Sequence, residues 1–170
     1  IIIQACGTSW HAGLVGKYYF ERLAGIHTDV EISSEFRYND PILDAKALVM
    51  AISQSGETAD ALEGIRLARG QAVRTMSIVN VLHSSIARES HSAVFMRAGT
   101  EIGVASTKAF TSEIALLLML SMHIGRLRWR LRESRIIEYI EQLRRIPVEI
   151  DRMLSSTADI DAVAERIRDA

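Results

Sequence analysis

Lys46-Ala47-Leu48-Val49-Met50-Ala51-Ile52 runs without a break into Ser53-Gln54-Ser55-Gly56-Glu57-Thr58, and a helical pattern follows from about Ala59 to Arg69. An unbroken apolar run of this length reads as a strand covered on both faces, as in parallel sheets. A strand, a polar turn and a helix placed back to back are one unit of a βαβ rhythm, and the rest of the chain repeats it. Upstream, Ile1 to Gln4 reads as a strand, Cys6-Gly7-Thr8-Ser9 as a turn, and Trp10 to Ala24 as a helix stopped by Gly25. Thr28 to Ile32 alternates polar and apolar, as a strand nearer an edge does. Downstream, Thr75 to Asn80 and Ala93 to Arg97 supply a fourth and a fifth strand, with one helical turn at Ser84 to Glu89 between them.

From Lys108 the texture turns helical. The spacing predicts a long buried helix near Thr107 to Gly125, then Leu131 to Arg145, a break at Pro147, Val148 to Leu154, and a last helix at Asp159 to Asp169. Ser155-Ser156-Thr157 is the best linker, so residues 1–154 are expected to form the main domain and 155–170 a helical linker. The predicted fold class is therefore α/β: a three-layer αβα sandwich with a five-stranded parallel sheet, flavodoxin-like, plus additional C-terminal helices.

Composition narrows the function. With 48% hydrophobic and 24% charged residues over 170 positions, the chain has enough apolar material for a core that needs neither disulfide nor metal. A formal net charge of −1 with acids and bases interspersed gives no field for nucleic acid or an anionic membrane. Cys6 is the single cysteine, which excludes an internal disulfide and fits a reducing, cytoplasmic setting. The apolar run Ile114 to Leu120 is too short to span a bilayer and reads as a buried helix. Ile1-Ile2-Ile3 lacks the basic flank of a signal peptide, and the chain reads as a piece beginning inside a strand.

In open parallel sheets, ligands sit beyond the carboxyl ends of the strands, where the turns enter helix N-termini. Ser53 to Thr58 occupies that place with three hydroxyls and the Gln54 amide, and Gly56 lets the backbone approach an oxyanion. A helix cap needs one hydroxyl, so three exceed that need, although Ser55 or Thr58 alone could cap. Thr8 and Ser9, after Cys6 and Gly7, can face the same cavity from the neighbouring strand end. Gly99 to Lys108 is a third polar segment, in which Ser106 or Thr107 could cap the long helix or meet a ligand.

Other chemistry is scarce. Gly16-Lys17 is followed by Tyr18 and has no Gly five residues earlier, so there is no Walker loop, and the dinucleotide glycine pattern is missing. The five histidines show no metal spacing, and neither a metal nor a cofactor is expected. Glu57 and Glu101 are the carboxylates to inspect for proton transfer, with helix-start electrostatics as their simpler explanation.

Ala5-Cys6-Gly7-Thr8-Ser9, Ser53 to Thr58 and Gly99 to Phe110 together resemble the first sugar-isomerase (SIS) domain of the glutamine:fructose-6-phosphate amidotransferase family. Phe20 to Gly25, Ser34 to Tyr38 and Arg88-Glu89-Ser90 support the likeness, which runs in order from Ile1 to at least Leu120. The resemblance implies a domain that binds fructose 6-phosphate or glucosamine 6-phosphate through Cys6, Gly7, Thr8, Ser9, Ser53, Gln54, Ser55, Thr58, Val104 and Ser106. The phosphate would lie on Ser53, Gln54, Ser55 and Thr58. It also implies a glutaminase domain, a second SIS domain and homodimerisation in the whole protein. The family's glutaminase cysteine, proton-transfer glutamate, Schiff-base lysine and ring-opening histidine have no match here, so this chain is expected to bind without turnover. The alternatives are a stand-alone SIS module that senses a phosphosugar and a single-domain phosphosugar isomerase; the Gly99 to Phe110 match argues against both.

Overall fold

The computed structural model describes residues 1–102 and 106–168. The described residues form two compact units, Ile1–Leu131 and a helical segment from Arg132 onward. The first holds five parallel strands: β1 (Ile2–Ala5), β2 (Asp29–Ile32), β3 (Leu48–Ser53), β4 (Arg74–Val79) and β5 (Ser92–Phe95). Their order is β2-β1-β3-β4-β5, which is the flavodoxin-like doubly wound arrangement predicted from sequence.

Strand periodicity separates the two faces of the sheet. Ile3, Ala5, Met50, Ile52 and Ile78 enter one core with Ala12 and Phe20, and Leu117 packs into it from the long helix. On the opposite face, Val49 packs with Phe36, Ala68 and Val73, while Ala51 and Val79 pack with Ala61, Ile65 and Ile86. Alternate β3 residues thus serve opposite layers, which is why its sequence is apolar throughout. Buried Gln4 lies on the second face, where its Nε2 donates to the Ala61 carbonyl at 2.8 Å and ties the sheet to the helix after β3.

The helices of this unit are α1 (Gly7–Tyr19), α2 (Ser33–Tyr38), α3 (Ala59–Gly70), α4 (Ser85–Glu89) and α5 (Lys108–Leu127). Three details differ from the sequence reading. First, α1 begins at Gly7 instead of Trp10, so Thr8 and Ser9 belong to its first turn; it then passes into a π-helical turn, Phe20–Ala24, closed by left-handed Gly25. Second, α2 follows β2 with no intervening turn residue, which leaves no punctuation for a sequence reader to find. Third, although α5 over Lys108–Leu127 matches the helix predicted near Thr107 to Gly125, the segment to weigh against a membrane is that whole helix and not Ile114 to Leu120 alone. Its length and composition would suffice to cross a bilayer, yet it packs along α1 and buries Glu113, Leu117 and Ser121 as a core helix does.

In the second unit, α6 (Glu133–Leu154) is one helix that contains Pro147, and α7 (Ala158–Ile167) follows the turn at 155–157. The predicted break at Pro147 does not occur. Proline removes one N–H from the helix ladder, but α6 has no buried residue, so water can take up the freed acceptor.

Candidate functional site

The strand order reverses direction between β1 and β3, and their carboxyl ends flank a cavity of about 420 Å³. Its lining brings together Cys6, Gly7, Thr8 and Ser9 with Ser53, Gln54, Ser55 and Thr58, and adds Glu101 and Ser106 from the loop before α5. Nine of the ten residues singled out from sequence therefore share one cavity; Val104 lies outside the described residues. The N-termini of α1 and α3 both open here, each bringing N–H groups without an intrahelical acceptor and a positive dipole end. A wider hollow of about 590 Å³ adjoins it across Gln54 and Glu101, but its walls include Val81, Leu82 and Phe95 and offer fewer hydroxyls.

Local hydrogen bonds show how the 53–58 turn is held and which donors it keeps. Buried Ser53 accepts the Gly56 N–H at 3.0 Å through Oγ, and Ser53 Oγ and Thr58 Oγ1 share a hydrogen bond at 2.9 Å. Ser55 Oγ accepts the Glu57 N–H at 3.2 Å. One hydroxyl hydrogen is consumed between Ser53 and Thr58. Among the described residues nothing takes up the other of that pair, the Ser55 hydrogen or the Gln54 amide, which remain free to donate. Thr58 stands at the N-cap position of α3 yet makes no side-chain capping bond. The capping alternative for this turn therefore fails, and its hydroxyls are available for a ligand.

The turn is also braced from the β4–α4 loop and the first turn of α4. Asn80 N–H donates to the Gln54 carbonyl at 3.1 Å, Ile86 N–H to the Gly56 carbonyl at 3.0 Å, and Ser85 N–H to Glu57 Oε1 at 2.8 Å. Gly56 has φ of 68°, and a Cβ there would overlap Ser84 Oγ, so glycine is required on both conformational and steric grounds.

Glu57 and Glu101 turn out to be structural acceptors. Hydrogen bonds from Ser85, first its backbone N–H, hold the Glu57 carboxyl below its usual range. Glu101 accepts from Thr107 Oγ1 and Thr107 N–H at 2.7 Å each and from Ala109 N–H at 3.2 Å, and those contacts lower its pKa likewise. The cap of α5 is thus a loop carboxylate, although Thr107 holds the N-cap position; Ser106 Oγ lies 3.4 Å from the same carboxylate. Sequence reading missed Glu113, whose buried carboxyl meets Ser9 Oγ at 2.8 Å. Its signal was a lone acid within the apolar stretch of α5. Among the described residues no group of three or more His, Cys, Asp or Glu side chains is placed to hold a metal ion.

A family model described as the SIS domain matches residues 1–122. The chain belongs to the SIS-domain family. This SIS domain is 47% identical over 163 residues to the isomerising glutamine–fructose-6-phosphate aminotransferase of Methanosarcina acetivorans, covering 96% of this chain and 26% of that protein. It is 46% identical over 166 residues to the enzyme of the same name from Haemophilus influenzae, covering 97% and 27%. The chain thus spans about a quarter of the length of these curated relatives. Among solved structures, the C-terminal domain of glucosamine-fructose-6-phosphate aminotransferase from Francisella tularensis superposes with a TM-score of 0.92 at 43% identity, over 99% of this chain and 47% of that one. Glucosamine-6-phosphate deaminase from Thermotoga maritima matches at 25% identity and a TM-score of 0.71, over 81% and 42%.

Proposed function

We propose that this chain is the first SIS domain of an isomerising glutamine:fructose-6-phosphate aminotransferase, and that its cavity holds the phosphate of fructose 6-phosphate or glucosamine 6-phosphate. The observation that carries this reading is the set of free donors at the β3–α3 turn: the Ser55 hydroxyl, one hydrogen of the Ser53–Thr58 pair and the Gln54 amide, aligned with two helix N-termini. A phosphate monoester near neutral pH brings about −1.5 to −2 charges and three strong acceptor oxygens, which such a cluster complements. Ser53, Gln54, Ser55 and Thr58 are assigned to the phosphate. Cys6, Gly7, Thr8, Ser9, Val104 and Ser106 are assigned to the sugar.

The identity to the named aminotransferases supports this choice over a stand-alone sensor or a single-domain isomerase. In this reading the chain binds and does not turn over by itself. Its ammonia comes from a glutaminase domain, its main isomerase groups belong to a second SIS domain and tail, and the whole enzyme works as a cytoplasmic homodimer. Residues 1–154 are the first SIS domain and 155–170 the linker toward the second.

Calorimetry with glucosamine 6-phosphate on the 170-residue chain tests the assignment. Ser55→Ala removes one charge-assisted hydrogen bond, a loss of ~1.5–3 kcal/mol or roughly ten- to a hundredfold in affinity. Equal affinities for wild type and variant would sink it.

A further inference from the structure

Ser9 lines the cavity from the first turn of α1, and its Oγ lies 2.8 Å from Oε1 of Glu113 on α5. Glu113 has no solvent exposure, and its Oε2 has no hydrogen-bond partner among the described residues. Among the described residues no cation compensates it. On α1, Lys17 pairs with Glu21 and Asp29, and His11 is exposed with its Nδ1 on the Gly7 carbonyl. In the π-helical turn, Glu21 is engaged by Lys17 and His27, and Arg22 is exposed. On α5 itself, Lys108, His123 and Arg126 are exposed. Glu101, the charge that acts on Glu113, is of the same sign.

A buried carboxyl without a cation is favoured in its neutral form. Desolvation raises the Glu113 pKa to about 7, only partly opposed by the Ser9 hydrogen bond. The form it takes decides what Ser9 can do. A carboxylate can only accept, so Ser9 must spend its hydrogen on Glu113 and present lone pairs to the cavity. A neutral carboxyl can donate to Ser9 Oγ, which frees the Ser9 hydrogen for a ligand oxygen.

We propose that Glu113 is a positioning residue for the phosphosugar: in its neutral form it donates to Ser9 Oγ and turns the Ser9 hydroxyl into the cavity as a donor to an oxygen of the sugar. This deepens the phosphosugar reading and rests on it. When Glu113 ionises, the Ser9 donor is withdrawn and a buried negative charge appears beside the cavity that takes the anionic phosphosugar. The chain therefore binds its ligand better below the Glu113 transition than above it. A glutamine at 113 keeps an N–H donor for Ser9 at every pH and holds the donor orientation permanently.

The test is glucosamine 6-phosphate affinity by calorimetry at about pH 6 and about pH 8.5, on either side of the Glu113 transition, for wild type, Glu113→Gln and Ser9→Ala. The phosphate's own ionisation near about pH 6 affects all three proteins alike and cancels in their ratios. Wild type is expected to bind roughly tenfold more tightly than Ser9→Ala at the lower pH, with that advantage gone at the higher one. Glu113→Gln is expected to keep the advantage at both. A wild-type to Ser9→Ala ratio that does not change with pH overturns the inference, as does a parallel loss of affinity in wild type and Glu113→Gln. Should Glu113→Gln fail to fold, the wild-type and Ser9→Ala pair decides the matter alone. An absence of binding by wild type at either pH strikes instead at the phosphosugar reading, and the inference falls with it.

Discussion

Gly56 stands so close to Ser84 that a Cβ on it would lie 2.5 Å from the Ser84 Cβ. Ser84 is itself buried at the start of α4, so it has no room to retreat. The close approach lets the Gly56 carbonyl accept the Ile86 N–H and locks the 53–58 turn onto the start of α4.

Gly56→Ala is therefore expected to destabilise the fold through left-handed strain and overpacking together, by roughly 2–5 kcal/mol. Thermal unfolding should shift down by about 10 °C, with loss of phosphosugar binding. Adding Ser84→Gly relieves the contact but leaves the strain, so the double variant should recover part of the stability. No recovery at all would show that the Ser84 contact is irrelevant to the glycine requirement.

Glu101→Ala removes the acceptor for the Thr107 and Ala109 amides and leaves the first turn of α5 uncapped. Faster hydrogen exchange at those two amides is the expected outcome, with the centre of α5 unchanged. The hydrogen bonds that lower the Glu101 pKa make its contribution present above the ordinary carboxylate pKa and lost as pH falls through the lowered one. Acidification of wild type below that range should reproduce the exchange pattern of the variant at neutral pH.

The fold was legible because its strongest signals are local. The 46–52 run, the hydroxyl-rich turn after it and the helical pattern from Ala59 needed no partner to be read, and β3 and α3 lie where that segment put them. The same holds for the clustering of Thr8 and Ser9 with Ser53 to Thr58, because both follow strands that the βαβ rhythm makes neighbours. What stayed hidden depends on tertiary context. Whether Thr58 caps α3 or faces a ligand turns on its bond to Ser53. Glu101 caps a helix six residues away from its own position, and Glu113 meets a serine 104 residues distant in sequence. Pro147 misled for the opposite reason: an exposed helix tolerates a missing bond that a buried one would not.

Leu117 fills the space where α5 crosses α1, within 3.0 Å of where a Cβ on Gly16 would sit, and it is fully buried. Leu117→Ala should cost ~2–5 kcal/mol through lost transfer energy and the remaining cavity. Leu117→Met conserves volume and is expected to cost under about 1.5 kcal/mol. Denaturant titration of the two variants separates cavity formation from a general intolerance of change at this position.

Glu113 ties stability to pH in the direction opposite to most carboxylates. Its pKa is raised from 4.5 to about 7 by burial, so between those values the folded chain retains a proton that the unfolded chain has released. Stability therefore falls as pH rises through this window, by up to about 3 kcal/mol for a shift of this size. Above about pH 7 both states are ionised and the penalty is constant. Glu113→Gln has no proton to lose, so its stability relative to wild type should increase steadily from pH 4.5 to about 7 and then level off. Urea titrations of both proteins across that range measure the difference directly, and other titrating groups cancel in it. A difference independent of pH would mean that Glu113 ionises in the folded chain as readily as in the unfolded one.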